Sequence, residues 1–424
     1  MKKEILTMKA IFKKINLQLF ADTQVTTQPS LTAEMKEFYD MTLLDNAQAN
    51  LVHDQFGQKK PIPKNGGKTI SFRKFAPLNK ALTPLTEGVT PAGNGLSVTE
   101  ISATVAQYGD YIVQSDVLEL TALDNTILEA TKLLGQQAGL TLDTVTRNVL
   151  HSSTNVNYAS KWSGETETEV TSRAALDKTS VIKVDTVRQV VAKLKSINAP
   201  KINGDYVAII HPFAEYDLMS DKDWKDPKTY CDPKDLYEGE IGKIAGVRFV
   251  ETSEAKIFGP GAIFDGIERM YVSKAITSSS TSVEVSAQAS KSQTGLSIDC
   301  YIGGKKNTIT AITPGTGKTT LTVKTAIDTL AVGDLVCGQN GTSDGLAVFS
   351  TLFLAQGAYG ITDVAGGGLE TIIKQKGSGG TADPLNQRSS VGWKAIKTAE
   401  ILNLDYIVRV ESVSPRYSGS AVSN

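Results

Sequence analysis

The sequence predicts an α+β chain, and three observations carry that expectation. Apolar residues recur every three or four positions over 116–150, the spacing of one helix face. Several short segments alternate apolar and polar residues with period two, the pattern of half-buried strands. The chain also holds 36 glycines, a supply of turns that suits a protein rich in β structure.

Composition bounds the function. The chain has 424 residues, with 44 Lys+Arg against 45 Asp+Glu and a formal net charge of −1. That balance excludes a globally basic nucleic-acid binder and a highly charged disordered chain. An apolar fraction of 40% with 21% charged residues is globular, and the length suits two or three domains around a large core. Cys231, Cys300 and Cys337 are odd in number and widely spaced, which argues against a disulfide framework or a zinc site. Lys9, Lys13 and Lys14 interrupt the first apolar stretch, so no cleaved signal is expected. Without an apolar run of about 18 residues, no membrane helix and no membrane partner are expected.

Taken in order, residues 1–30 form a basic, then Thr-rich arm. Lys2, Lys3, Lys9, Lys13 and Lys14 against Glu4 give it +4 before Asp22. Residues 32–56 predict a helix, with Met35, Phe38, Met41 and Leu44 on one face and Gly57 and Pro61 beyond its end. Residues 67–114 predict a long two-stranded excursion. One strand alternates from Thr69, a turn-rich tip runs from Pro77 to Pro91, and a return strand runs from Ile101 to Val113. Such a hairpin is marginal alone and needs a partner surface. Residues 116–150 predict one long helix, about 50 Å if continuous. Gly135 and Gly139 inside it mark a bend or a close contact.

Residues 151–180 are polar and read as a loop. A second amphipathic helix is expected over 184–197, a buried strand after Asn203-Gly204, and a short helix over 213–220. An acidic loop and a turn–strand unit over 239–251 complete an α/β unit. Composition then shifts: ten of the twenty residues from Ile276 to Gly295 are Ser or Thr. Alternating runs at 297–302, 308–313 and 320–325 predict a small β-rich module with a flexible entry. Strands are expected at 349–354, 370–374 and 406–410, and residues 412–424 read as loose.

The chemical motifs are weak. Pro314-Gly-Thr-Gly-Lys-Thr-Thr320 resembles the end of a phosphate-binding loop, but Ile312 stands where its first glycine belongs. Alternating segments flank it on both sides, so a hairpin turn is expected. His53, His151 and His211 lack metal-ligand spacing. The acidic loop lacks the glycine and terminal glutamate of a calcium loop. No catalytic residue, cofactor or metal site is expected, and an ATPase is the least favoured alternative.

A family resemblance rests on strings in a fixed order. They are Asn16-Leu-Gln-Leu-Phe-Ala21, Leu51-Val-His-Asp-Gln-Phe-Gly-Gln58 with Pro61-Ile-Pro-Lys-Asn-Gly-Gly-Lys-Thr-Ile70, and Leu85-Thr-Glu-Gly-Val-Thr-Pro91. Gln107-Tyr-Gly-Asp-Tyr111, His211-Pro212, Gly239-Glu-Ile-Gly-Lys-Ile-Ala-Gly-Val-Arg-Phe249, Asp383-Pro-Leu-Asn-Gln-Arg388 and Val391-Gly-Trp393 follow. In these the chain resembles tailed-bacteriophage major capsid proteins, specifically the podovirus N-four-like family, over nearly everything except 276–345. The resemblance implies the Hong Kong 97 type capsid fold. Its parts would be an N-terminal arm (1–31), a helix and linker (32–66), an extended β-hairpin loop (67–114) and a peripheral domain with a spine helix (115–183). An axial domain (184–275 and 346–400), an inserted β-rich surface module (276–345) and a peripheral strand with a C-terminal tail (401–424) would follow.

The implied function is self-assembly into hexamers and pentamers of an icosahedral shell around double-stranded DNA, in the virion and, during assembly, the host cytoplasm. Scaffolding, portal and decoration proteins would be further partners. An encapsulin-like compartment shares the fold and is the alternative. Lys59, Lys60, Lys64, Lys68, Arg73, Lys74 and Lys80 give residues 55–86 a charge of +7, and residues 215–240 hold nine carboxylates against four lysines. Unlike patches on one molecule suit a ring-closing contact between copies. The expected subunit interface is Lys68, Phe72, Arg73, Lys74, Lys80 and Glu87 on one side and Asp221, Asp223, Trp224 and Asp226 on the other. Lys2, Lys3, Lys9, Lys13 and Lys14 are expected to face DNA or scaffold inside the shell. Lys–Asn cross-linking, found in some capsids of this fold, is not expected.

Overall fold

A computed structural model describes residues 52–63, 67–75, 93–121, 126–164, 166–224, 243–363, 370–374 and 383–424, with single positions between 78 and 90. The expected helix over 32–56 lies almost wholly outside the described residues. The core is a seven-stranded sheet in the order Val156–Tyr158, Ile407–Ser412, Val348–Leu354, Tyr206–Ile210, Val247–Glu251, Lys243–Ile244, with Ile257–Phe258 pairing Val348–Leu354. Its three central strands are buried at every position. That is why Tyr206–Ile210 and Val348–Leu354 read as largely apolar runs, whereas Ile407–Ser412 carries the buried Arg409 and Glu411.

The helix Val184–Ser196 lays Val184, Val187, Val190, Val191 and Leu194 on this sheet. The helix Pro212–Ser220 adds Ala214 and Leu218 to the same core. Pro212 sits where a helix needs no N–H, and the His211 side chain caps the start by accepting from Phe213 N at 3.1 Å. Val52, Leu150, Leu354 and Tyr359 fill a separate cluster.

A five-stranded sheet joins Gln58–Lys59, Tyr359–Asp363, Arg388–Ile401 and Glu370–Lys374, with Ala106–Ser115 also paired to Arg388–Ile401. The helix Thr126–Leu150, about 37 Å long at 1.5 Å per residue, packs on it through Leu134, Ala138 and Leu142 against Val391, Trp393 and Ala395. Gly135, inside that helix, has open space where a side chain would stand, so it marks no close contact.

Three expectations change. The return strand is not continuous: Val98–Thr104 pairs with Thr69–Phe75, and after Val105 the chain leaves for the five-stranded sheet as Ala106–Ser115. The expected long helix is described as helix over Asp116–Thr121 and Thr126–Leu150, and residues 122–125 lie outside the described residues. The loop over 151–180 holds the strands Val156–Tyr158, Lys161–Ser163 and Thr166–Thr168. The C-terminal tail is packed: Ser414 and Ser418 are buried, and Tyr417 stacks on Phe213 at 4.0 Å.

A six-stranded antiparallel sheet runs Arg269–Tyr271, Leu335–Gly338, Gln293–Ile302, Lys305–Pro314, Thr319–Ile327, Ser280–Val285. It closes on itself, because Ser273 N donates to Glu284 O and Ser286 N donates to Tyr271 O, each at 2.8 Å. The resulting barrel encloses its own core of Val283, Val285, Ile302, Ile309, Ile312, Leu321, Val323 and Val336. It begins at Arg269, seven residues before the composition shift at Ile276.

Candidate functional site

The hairpin is built by strict register, from Thr69 opposite Thr104 to Phe75 opposite Val98. Its inward face carries Phe72, opposite Ile101 and only 5% exposed. Phe72 reaches the five-stranded sheet at Gly360, where an added Cβ would stand 2.7 Å from the ring. Lys60 lies over the same ring at 5.5 Å from its centre, and its Nζ donates to Ser71 O at 3.2 Å. The hairpin base is therefore anchored on the subunit's own sheet.

The tip is different. Phe75, Leu78, Leu82, Leu85 and Leu96 are exposed, Leu82 to 81%. Single exposed apolar residues need no explanation, but a group of them on one projection marks a contact surface. Sequence reasoning weighted the lysines there and passed over these leucines. The available signal was apolar residues in a turn-rich stretch that needs none to fold.

The expected interface residues divide. Lys68, Arg73, Lys74, Lys80 and Glu87 are exposed on the hairpin, so the structure brings these together on one projection. Phe72 and Trp224 are corrections: Phe72 is spent on Gly360, and Trp224 is 3% exposed, edge-on to Phe249 at 6.1 Å. Neither can reach another molecule without leaving its core. Asp221 Oδ2 accepts from Val184 N at 2.9 Å, and Asp223 pairs with Arg188 at 3.1 Å. Part of the acidic patch thus caps and braces a helix of its own subunit. Asp226, Lys64 and the arm residues Lys2, Lys3, Lys9, Lys13 and Lys14 lie outside the described residues.

The remaining motifs resolve without chemistry. The Gly-Thr-Gly-Lys segment turns between Lys305–Pro314 and Thr319–Ile327, with Gly315 N donating to Lys318 O at 2.8 Å and Gly317 at φ 71°. Lys318 pairs with Glu284 at 2.5 Å, and a strand follows where a phosphate loop requires a helix. Cys300 and Cys337 are buried, and burial pushes their thiols up to about 12 and about 11. Cys231 lies outside the described residues. His53 is buried against Asp143 at 2.7 Å. His211 caps a helix between Phe213 and Phe349. Among the described residues no His, Cys, Asp and Glu group could hold a metal, and no helix is long and apolar enough to cross a membrane.

Comparison with known proteins completes the picture. A family model described as phage capsid protein matches residues 12–297. The fold is similar to the capsid of cyanophage P-SCSP1u, at 13% identity and TM-score 0.53, covering 88% of this chain and 91% of that one. It is similar to the capsid of Ralstonia phage GP4, at 12% identity and TM-score 0.53, covering 85% and 87%. It is similar to the cyanophage Pam1 capsid, at 12% identity and TM-score 0.51, covering 93% and 100%. No curated protein sequence matches. The family match spans more than half of the chain and the capsid fold covers most of it, so this chain belongs to the phage capsid protein family.

Proposed function

We propose that the hairpin is the organ of assembly, its apolar tip seated on a neighbouring copy. The chain is a major capsid protein, a structural subunit that forms an icosahedral shell with copies of itself in the virion. The observation that carries the hairpin's role is the exposure of Phe75, Leu78, Leu82, Leu85 and Leu96 at the end of a projection whose base is anchored. Burying such side chains on a partner stabilises by roughly 25 cal/mol per Å² of apolar area removed from water.

The finer reading follows from the resemblance. The subunits form hexamers and pentamers around double-stranded DNA, in the podovirus N-four-like manner, and assemble in the host cytoplasm with scaffolding and portal proteins. The arm (1–31) lies inside, where Lys2, Lys3, Lys9, Lys13 and Lys14 meet phosphate or scaffold without sequence preference. The hairpin loop (67–114), peripheral, axial and inserted units take the places the capsid fold gives them. The closed barrel stands on the outer surface, where a decoration protein would dock.

Electron microscopy of the purified protein, alone and with scaffold, tests this. Wild-type protein should give closed shells, and a Leu82→Asp/Leu85→Asp variant should stay a folded monomer. Exposed tip positions cost within about 0.5 kcal/mol when substituted, so lost assembly would not reflect unfolding. Normal shells from that variant would refute the hairpin's role.

A further inference from the structure

A cleft of about 410 Å³ opens at the hairpin base. Its lining includes Lys60, Ser71, Arg73 and Lys74 beside the apolar Phe72, Ile101 and Leu402, and no described carboxylate is among the lining residues. Lys60 belongs to the body of the subunit, since its backbone N donates to Ile361 O at 3.1 Å. Arg73 and Lys74 belong to the hairpin. Lys74 shares the strand face of Phe72, whereas Arg73 is on the other face opposite Glu100, so Lys60 and Lys74 are the two like charges at the cavity, and an anion between them would turn their repulsion into a tie between body and hairpin. Carboxylate oxygens suit the site, because Lys side chains bind them by charge-assisted hydrogen bonds.

The chain itself supplies such a partner. Residues 225–242 hold Asp226, Asp232, Asp235, Glu238 and Glu240 against three lysines. Upstream, Asp221 and Asp223 are already engaged with Val184 N and Arg188. We propose that the cleft receives carboxylates from residues 225–242 of a second copy, fixing the hairpin angle as the shell closes. The proposal rests on the shell-subunit reading and narrows the basic patch to Lys60 and Lys74.

Two arms test it. In the first, a synthetic peptide of residues 225–242 is titrated onto the unassembled full chain under reducing conditions. Saturable binding should weaken at least about tenfold, the equivalent of 1.4 kcal/mol, in Lys60→Glu/Lys74→Glu. The variant's far-UV spectrum and melting temperature should match wild type. No binding, or equal binding by the variant, overturns the proposal. This arm needs no shells, so it stands apart from the shell reading. In the second, Lys60→Glu/Lys74→Glu and Asp232→Lys/Asp235→Lys/Glu238→Lys should each lower shell yield about tenfold. Combined, they should restore it to within about threefold, because the swapped charges again attract. A combined variant no better than the worse set overturns the proposal. If wild type forms no shells, the assembly reading falls and the peptide arm still decides the cleft.

Discussion

Arg173 grips Glu411 with two hydrogen bonds, Nε to Oε2 and Nη2 to Oε1, each 2.6 Å long. Glu411 is fully buried in the last strand of the central sheet, and Arg409 Nε lies 3.1 Å from the same Oε1. Arg173 also donates to Asn340 O at 3.1 Å and stacks on Phe258 at 3.7 Å. One side chain thus ties a 3₁₀ turn to the sheet and to the segment leaving the barrel. Two arginines around one carboxylate make that carboxylate the critical member. Glu411→Gln should cost about 3–5 kcal/mol, because it leaves the buried Arg409 and the partly buried Arg173 without their carboxylate. Arg173→Met should cost less, since Arg409 still faces the carboxylate. Chemical denaturation of both variants checks the order; equal losses would mean that Arg409 contributes nothing.

His211 and Glu215, one helical turn apart, give stability opposite dependences on pH. Burial, with the carboxylate of Glu251 beside it, raises Glu215 from 4.5 to about 7. Burial lowers His211 from 6.5 to about 4, and its Nδ1 accepts a backbone hydrogen bond as a neutral ring should. The Glu215 contribution is complete below pH about 4.5 and lost as pH rises through about 7. The His211 contribution is complete above about 6.5 and lost as pH falls through about 4. His151, lowered well below its ordinary value by burial, pulls the same way as His211. Between about 4.5 and 6.5 the slopes oppose, which flattens the wild-type profile. Glu215→Gln should remove the decline toward pH 7 and leave a steeper rise from pH 4 to 6.5. Denaturation midpoints from pH 4 to 8 measure this, and an unchanged profile would show that folding does not shift the titration of Glu215.

Helices and buried strands were legible because their signals are local. Val184, Val187, Val191 and Leu194 mark a helix face whatever they pack on, and Tyr206–Ile210 is apolar because both of its faces are covered. Pairing was not legible. The alternation of Ile101, Ala103 and Val105 changes phase before Tyr108 and Ile112, but a phase shift alone does not say which sheet the following residues join. Counting charges also failed locally, because Asp221 is spent on a backbone N–H and Phe72 on a glycine, partners set by tertiary contact. The tail looked loose because it is serine-rich. Ser412, Ser414 and Ser418 are nevertheless buried, with Ser414 N donating to Ser418 Oγ at 2.9 Å.

The seating of Phe72 on Gly360 sets how firmly the hairpin is held. A methyl group at residue 360 would stand 2.7 Å from Phe72 Cζ, inside any allowed contact. Gly360→Ala should therefore cost about 1–3 kcal/mol through overpacking and loosen the hairpin base first. Hydrogen exchange over 69–104 should quicken while exchange in the central sheet stays slow. Phe72→Leu should recover part of the loss in a double-mutant cycle. Additive losses would mean that the two residues do not meet in solution.

The barrel should fold without the rest of the chain. It enters at Arg269–Tyr271 and leaves at Leu335–Gly338, and these two strands are paired with each other, Arg269 opposite Cys337. Chain ends that lie side by side can be cut or joined with little loss of loop entropy. The core of Val283, Ile302, Ile309, Ile312, Leu321 and Val336 is complete inside the barrel. What excision removes is peripheral: the bonds from Arg269 to Gly345 O, Ser418 O and Ala421 O, from Arg173 to Asn340 O, and from Ser423 to Glu268 Oε1. A fragment of residues 260–341 should give a cooperative melt and dispersed amide resonances. Its melting temperature should fall below that of the barrel in the whole chain, because Arg269 loses its three acceptors. A fragment without a cooperative transition would show that the barrel borrows its stability from the central sheet through Arg269 and the docked tail.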